Sequence, residues 1–218
     1  MKLEAMRKEV ANIVDDPSFN PEDIDGYLNE AISYAAGIVR LPALKRVGTI
    51  SLLESTYSVP LSGISGSEIV GSIAHAVLST GAELTICNGI EELLVDYPKL
   101  DEVGVPACIA QEHQTLWYQP MGEYSATLVY YTRPTLLSKN SDEVDFIPDH
   151  LHRRLFVHGA AWMMFDQIED GIEQDKKVNT QTQFFHSFSE MNKESGITKL
   201  REWIALNKVH HISSTWRY

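Results

Sequence analysis

The chain has little cysteine and no long hydrophobic run, and each shortage excludes a class of protein. Its two cysteines, Cys87 and Cys108, are too few for a disulfide framework or a zinc knuckle, so we expect buried free thiols. No apolar run approaches the ~20 residues that span a bilayer, and no membrane segment is predicted. Residues Met1 to Val14 alternate charged and apolar positions, which predicts that no signal peptide is present.

Basic residues are also scarce. The 18 Lys and Arg residues are outnumbered by 30 Asp and Glu residues, and the formal net charge is −12. Binding along duplex DNA needs clustered Lys and Arg, so this balance argues against a duplex-binding surface. Two interpretations remain open: an acidic channel wall that DNA passes without sticking, and a negative surface that simply keeps the protein in solution.

Sequence motifs for catalysis are missing. The segment Gly63-Ile64-Ser65-Gly66 lacks the glycine spacing of a hydrolase nucleophile elbow, and no phosphate-binding glycine motif follows it. On a helix, His150 and His152 would point about 200° apart, while His158 lies two turns from His150. We therefore predict exposed or interface histidines, no metal site, no cofactor and no catalytic residue, and the protein is not expected to be an enzyme.

Two helices are predicted at the start of the chain. Apolar residues at helical spacing predict the first over Met1 to Val14, and Asp15-Asp16-Pro17 ends it. Asn20 can cap the second helix, and Pro21 suits its first position. Leu41-Pro42 breaks this helix. Its predicted buried stripe consists of Ile24, Leu28, Ala31, Ala35 and Ile38.

The middle of the chain reads as β structure. Residues Gly48 to Val59 alternate in the manner of strands, whereas residues 61 to 85 suit short strands and a small helix equally. Glu91 to Tyr97 predicts a helical turn that ends at Pro98, and Gly104-Val105-Pro106 predicts a chain turn.

Two later strands are predicted as a hairpin. They cover His113 to Tyr118 and Ser125 to Tyr131, and Met121-Gly122-Glu123 has the length and glycine content of a hairpin loop. In the first strand, Leu116, Trp117 and Tyr118 are expected to be core residues, with a partner-binding ridge as the alternative.

The last third is predicted to be helical. Ile147-Pro148-Asp149 opens a helix that runs to Asp170, with further helices over Glu173 to Lys193 and Ile197 to Asn207. The helix that runs to Asp170 has an apolar stripe formed by Leu151, Leu155, Trp162, Phe165 and Ile168. The predicted fold is therefore α+β. One domain over 1–218 contains a helical bundle, with two N-terminal helices (1–42) and long C-terminal helices (148–208), and an inserted antiparallel β region (46–135).

A series of short motifs runs along the chain in a fixed order. They are Tyr27-Leu28-Asn29-Glu30-Ala31, Tyr57-Ser58-Val59-Pro60, Gly104-Val105-Pro106, Tyr118-Gln119-Pro120, Leu128-Val129-Tyr130-Tyr131, Ile147-Pro148 and Gly159-Ala160-Ala161-Trp162. Their shared order resembles the head-to-tail adaptor (connector or neck) proteins of tailed bacteriophages, and the pattern covers roughly residues 1 to 175. One departure is the segment Ser62 to Thr80, which is longer and less polar than the family leads us to expect.

This resemblance implies a structural virion protein. Subunits of the family form a homo-oligomeric ring, commonly of twelve copies, which joins the portal protein to the tail or nozzle proteins. The resemblance implies that DNA passes through the lumen without specific binding, that no membrane is involved, and that the protein is made in the host cytoplasm and ends in the virion neck. The alternatives are a tail-completion or neck protein elsewhere in the connector, and a small metal-dependent cytosolic enzyme that uses residues 150 to 158.

The segment Val209 to Tyr218 is predicted to be an interaction site. It brings together aromatic, arginine and apolar side chains after the helical pattern has stopped, a composition that is enriched in binding hot spots. We expect it to dock on a neighbouring subunit or on the portal. The residues proposed to carry this contact are His211, Ile212, Trp216, Arg217 and Tyr218.

Overall fold

A computed structural model of the protein describes residues 1–64, 69–168 and 174–191. The chain divides into two compact units. Unit 1 comprises Met1–Ala43 together with Pro134–Tyr218, and unit 2 is the continuous stretch Leu44–Arg133. Helices and strands are both present, so the α+β class is confirmed; that the chain forms one adaptor domain stays a prediction.

The elements follow one another along the chain as helices, then strands, then helices. The helices are α1 (Leu3–Val14), α2 (Pro21–Ile38), α3 (Ile90–Asp96), α4 (Asp149–His152), α5 (His158–Gln167) and α6 (Gln174–Met191). The strands are β1 (Lys45–Leu52), β2 (Ser58–Pro60), β3 (Val70–Leu78), β4 (Thr85–Cys87), β5 (Cys108–Glu112), β6 (Thr115–Gln119) and β7 (Tyr124–Thr132).

The two N-terminal helices form where their sequence signals predict them. Asn20 closes a capping box at the start of α2: its side chain accepts from the Glu22 and Asp23 backbone N–H groups, and Asp23 accepts from the Asn20 N–H. In α1, Asp15 takes a left-handed conformation, with φ of 52°, as the helix ends. The first helix begins at Leu3 and the second ends at Ile38, within a few residues of the predicted bounds.

Distant parts of the chain meet in unit 1 through polar contacts. The Arg7 guanidinium forms a two-pronged ion pair with Asp25, with N–O distances of 2.8 and 2.6 Å, and also donates to Asn140 at 3.1 Å. The Asn29 side-chain amide donates to the Leu137 carbonyl and accepts from the Leu137 N–H. These contacts join α1, α2 and the loop that precedes α4.

The polar loop 138–145 is held against the first turn of α1. The Leu3 and Glu4 N–H groups donate to the Asp142 and Asn140 carbonyls at 2.9 and 3.3 Å. Within the loop, one Asp142 carboxylate oxygen accepts from the Ser138 and Lys139 N–H groups, which lowers the pKa of that carboxyl. The loop therefore supplies acceptors to helix N–H groups that have no partner within the helix itself.

The helix predicted over Asp149 to Asp170 is interrupted. A π-helical turn over Arg153–Val157 separates α4 from α5, and α5 ends at Gln167. Leu151, Leu155 and Phe165 of the predicted stripe are buried, whereas Trp162 and Ile168 are half-buried. Helix α6 agrees with the helix predicted over Glu173 to Lys193. The one predicted over Ile197 to Asn207 lies outside the described residues.

Unit 2 consists of two sheets whose inner faces share a core. The strand order is β1-β7-β3 in sheet 1 and β2-β6-β5-β4 in sheet 2. Every pair is antiparallel, as predicted, except β4 with β5, which is parallel; the β region is therefore mixed. Side chains from both sheets form the core, among them Ile50, Leu52, Ile73, Leu116, Tyr118 and Leu128.

The predicted hairpin between residues 113–118 and 125–131 is wrong. Strands β6 and β7 exist, but they belong to different sheets, so residues 120–123 carry the chain from one sheet to the other. The hairpin partner of β6 is β5, a strand that the sequence interpretation missed, and His113-Gln114 is the turn between them. His113 has a φ of 52°, the left-handed conformation that a tight turn can require.

The segment left open by the sequence is partly strand. Leu61–Gly63 forms a short 3-10 turn, and β3 and β4 follow before α3, which agrees with the predicted helical turn. The predicted β region Gly48 to Val59 contains most of β1 and the first part of β2.

Candidate interaction surfaces

The three helix histidines do not converge. His150 is exposed, but His152 is fully buried, so the expectation of exposed or interface histidines was wrong for His152. The His152 ring accepts from the Met1 amine at 2.9 Å and donates to the Ile147 carbonyl at 2.7 Å. Burial lowers the pKa of His152 and the pKa of the half-buried His158, and the Arg153 charge lowers the latter further.

No metal-binding cluster is found in the described part of the chain. Within 1–64, 69–168 and 174–191, no three His, Cys, Asp or Glu side chains lie close enough to hold an ion together. The His152 ring nitrogens are both engaged in hydrogen bonds, and His158 lies beside Arg153, whose guanidinium pairs with Glu9 at 2.8 Å. This arrangement suits neutral imidazoles packed in a helical core.

Both cysteines are buried free thiols, as predicted. They lie with Leu93 and Ala110 in a small cluster between α3 and sheet 2. Burial is the main cause, and the neighbouring Cys87 the second, that raises the pKa of the Cys108 thiol to about 12. Since the thiolate is the reactive form, neither the burial nor the pKa of Cys108 suits a nucleophile.

An aromatic cluster joins three helices of unit 1. Phe184 and Phe188 of α6 are fully buried, and their rings lie 5.7 and 6.4 Å from that of Tyr34 in α2. Trp162 of α5 packs on Phe184 with a ring separation of 5.5 Å. The buried Trp162 indole N–H finds no acceptor among the residues described. Because Tyr34 remains 38% exposed, the cluster reaches the surface.

The aromatic strand of unit 2 is mainly core. Leu116 and Tyr118 are fully buried, while Trp117 is half-buried and stacks on Tyr57 with ring centroids 5.3 Å apart. The Tyr118 hydroxyl accepts from the Leu53 N–H and donates to the Leu53 carbonyl, both at 2.8 Å. Tyr118 of sheet 2 is therefore hydrogen-bonded to the residue that follows β1.

The outer face of sheet 1 carries exposed side chains. The inward-facing residues of β1 are buried and their neighbours along the strand are exposed, so every second side chain points away from the core. The strand register places Val47, Val129 and His75 in one row, with Thr49, Thr127 and Val77 in the next. We call these residues, with Lys45 and Tyr131, the open face. Val47 is 66% exposed, which makes it a large apolar side chain without cover.

Positive charge lies at one end of the open face. Lys45 is paired across the strands with Tyr131, and Arg133 follows two residues later on the same side of the chain. Both cations are exposed. At the far edge, His75 and Glu83 form an ion pair at 3.2 Å when the histidine is protonated.

The opposite side of unit 2 is acidic. Helix α3 covers the outer face of sheet 2, with Leu93 turned inward to the two cysteines. We call its outward residues the α3 face: Glu91, Glu92, Val95 and Asp96 are all exposed, and Val95 is 78% exposed. Glu92 also accepts from the Asn88 N–H at 2.5 Å. The open face and the α3 face thus lie on opposite outer sides of the two-sheet core.

The sequence interpretation missed both faces. It treated the pair Glu91-Glu92 as ordinary solvated charge, and it proposed no role for Val47 or Val95. The apolar run Leu93-Leu94-Val95 does not reveal by itself that Leu93 is buried and Val95 is exposed. The predicted site residues His211, Ile212, Trp216, Arg217 and Tyr218 lie outside the described residues.

A comparison with protein families shows which family the chain belongs to. The family described as the SU10 adaptor protein matches residues 1–203, which is most of the chain. The chain belongs to this family of adaptors, and the predicted resemblance to phage head-to-tail adaptors is confirmed. No curated protein matches the chain. The protein is therefore a phage adaptor protein of a structural family.

The described helices were compared with the requirements of a membrane span. Among the residues that the structure describes, none of the helices combines the length and the apolar content that crossing a bilayer requires.

Proposed function

We propose that the protein is the head-to-tail adaptor of its virus, a ring that joins the portal to the tail proteins. The family match over residues 1–203 is the observation that carries this proposal. In the proposed arrangement, about twelve copies stack beneath the portal and present their lower surface to tail or nozzle proteins. A ring of this kind needs only one pair of complementary surfaces, because a head-to-tail contact repeats until its rotation closes.

The charge of the chain supports a role as part of the DNA channel. With 30 acidic and 18 basic residues, a ring of many copies carries a strongly negative potential. Negative walls repel the phosphate backbone, so DNA would pass through the lumen without being held there. The family match that supports the adaptor role also supports a location in the neck of the virion.

The helical part is proposed to be a bundle in which the residues from 148 to 208 pack on the two N-terminal helices. Packing of α5 and α6 on α2 supports this: a Cβ added to Gly159 would lie 2.8 Å from Phe184 and 3.1 Å from Ala31. Only a residue without a side chain permits that approach. In this proposal both units belong to one adaptor domain, with the β-rich unit inserted between the helices.

The segment 209–218 is proposed to dock on a neighbouring copy or on the portal, with Trp216 and Tyr218 as anchors. Large aromatic side chains bury much area at little conformational cost, which suits them to this role. Deletion of residues 209–218 tests the idea. Unchanged ring assembly together with unchanged portal binding would exclude it.

The adaptor role is tested by measuring the mass of the purified protein in solution, alone and after mixing with the portal of its own virus. We expect a ring, or a monomer that assembles on the portal. If the protein forms no complex with the portal but binds an isolated tail or neck protein, it is a tail-completion or neck protein elsewhere in the connector. A protein that ignores all of these partners would overturn the proposal.

A further inference from the structure

We propose that the α3 face of one copy covers the open face of the next copy. This inference rests on the proposed ring, for which it names the contact surface. It concerns residues of unit 2 and is independent of the segment 209–218. The occupant of the open face is thus a second copy of this chain.

The first argument is that the two faces are unequally covered. Sheets are stable when an apolar face is packed against another layer. Sheet 2 has both faces covered, by sheet 1 on the inside and by α3 on the outside. Sheet 1 has its inner face covered, but its outer face presents Val47, Val129 and Val77 in adjacent rows. Helix α3 already covers sheet 2 through its inner side, and its outer side presents the exposed Val95 to a neighbouring copy.

The second argument is charge complementarity. The open face has Lys45 and Arg133 at one end, whereas the α3 face has Glu91, Glu92 and Asp96 around Val95. Contact between the faces would put an apolar centre within a rim of opposite charges, which is how specific interfaces are commonly built. Contact of either face with itself would bring like charges together at that rim. The charges therefore favour a head-to-tail contact over a two-fold dimer.

The third argument is the position of the faces. They lie on opposite outer sides of the same two-sheet core, so one copy can use both at once. Each copy would then contact two neighbours through one kind of interface. Such heterologous contacts produce a closed ring when the rotation between copies is an integral fraction of a full turn.

The experiment uses two charge-reversed variants of the full chain. One reverses the open face, with Lys45→Glu and Arg133→Glu, and the other reverses the α3 face, with Glu91→Lys and Asp96→Lys. We expect each variant alone to assemble at least about tenfold more weakly than the unaltered protein, because like charges then meet at every contact. Assembly is measured by sedimentation velocity and native mass spectrometry, alone and on the portal.

Mixing the two variants is the decisive step. In an equal mixture each reversed face finds a reversed partner, and each unaltered face finds an unaltered one. We expect assembly to return, with the two variants alternating and hence with an even number of copies. The matched control is Glu112→Lys with Glu123→Lys, which also changes two exposed charges of unit 2 but lies outside both faces. It should assemble as the unaltered protein does. Far-ultraviolet circular dichroism checks that each variant is folded.

The outcomes separate this inference from the adaptor role. If the variants assemble on the portal as well as the unaltered protein does, the ring uses other surfaces and only this inference fails. If mixing restores association between copies but no form binds the portal, the contact stands and the adaptor role fails. If the unaltered copies associate neither alone nor on the portal, both fail. Weak assembly of both single variants and of their mixture would also overturn the inference.

Discussion

Unit 1 is assembled from two separate stretches of chain, whereas unit 2 is one continuous stretch, Leu44–Arg133. The helices of unit 1 meet through contacts between residues more than a hundred positions apart, such as Asn29 with Leu137. The two ends of unit 2 are adjacent, because every residue of β1 pairs with a residue of β7. The Thr132 hydroxyl, for example, donates to the Leu44 carbonyl at 3.3 Å.

This difference explains how a β-rich unit can be inserted between helices. Bringing distant residues together costs conformational entropy that grows with the length of the intervening loop. Once β1 pairs with β7, residues 53–123 between them no longer act as a flexible loop, and the two ends of unit 2 lie close together. Unit 2 is therefore expected to be the more independent of the two units, and unit 1 the more dependent.

The strongest test of that independence is Phe184→Ala. Phe184 is fully buried at the centre of the aromatic cluster, so the substitution should cost about 4 kcal/mol of unfolding free energy. We expect amides of unit 1 to lose hydrogen-exchange protection while the strands of unit 2 keep theirs. Val178→Ala, which alters an exposed residue of the same helix, is the control and should change little. An equal loss of protection in both units would show that they unfold together.

A second variant perturbs unit 2 at a close backbone approach. A Cβ on Gly122 would overlap the Gly104 carbonyl oxygen, which is backbone and cannot turn aside. Gly122→Ala should therefore destabilise unit 2 by about 2 kcal/mol. Chemical denaturation followed by tryptophan fluorescence measures the loss. Gly63→Ala is the matched control, since a Cβ there meets nothing within 4 Å. Equal stabilities of the two variants would contradict the proposed crowding.

Tyr118→Phe tests the link between the two sheets more gently. It removes only the hydroxyl that both accepts from and donates to the Leu53 backbone. We expect a loss of about 1.5 kcal/mol, because a part-buried backbone N–H and carbonyl would lose their partner. Thermal unfolding measures the change. Tyr57→Phe removes a hydroxyl from a half-exposed ring and should have almost no effect. A larger loss of stability in Tyr57→Phe would contradict the proposed role of the Tyr118 hydroxyl in linking the two sheets.

The smallest effect is expected from acidification, and it should fall on unit 1. Burial lowers the pKa of His152 and of His158 below the ordinary value of 6.5, so the unfolded chain binds protons more readily than the folded one. The stability from these groups is complete above pH 6.5 and is lost as the pH falls through their folded pKa values. Unfolding measured from pH 7.5 to 5 should show this decline.

Replacing both His152 and His158 by glutamine should flatten that dependence. His150→Gln is the control, because His150 is exposed on the same stretch of helix. A decline with the same slope in the double variant would assign the acid sensitivity of unit 1 to other groups.

Much of the local structure was predictable because its signals are local. Asn20, Pro21 and the acidic residues after them determine where α2 begins, and these groups act within one turn. The bounds of β7 and α3 likewise agree with the predicted strand Ser125 to Tyr131 and with the predicted helical turn that ends at Pro98. The ordered set of short motifs also carried the family resemblance, which the match over residues 1–203 confirms.

The pairing of the strands was not predictable on the same basis. Tyr118 and Tyr124 are close in sequence, and the chain between them contains a glycine, so a hairpin was the natural local prediction. Strand β5 is as short as β6 but has none of the aromatic residues that mark β6 in the sequence. It nevertheless pairs with β6, and Cys108 to Glu112 completes sheet 2. Whether β6 pairs with β5 or with β7 depends on burying the inner faces of both sheets at the same time. A local sequence pattern does not contain that information.

Sequence by itself thus determined the two N-terminal helices, α3, β7 and the adaptor family. Only the tertiary structure decided which residues are covered: it buried His152, left Val47 and Val95 exposed, and set the open face and the α3 face on opposite sides of one core. The physical reason is that the type of an element follows from interactions within a few residues. Exposure and pairing depend instead on how much apolar surface the whole unit can bury.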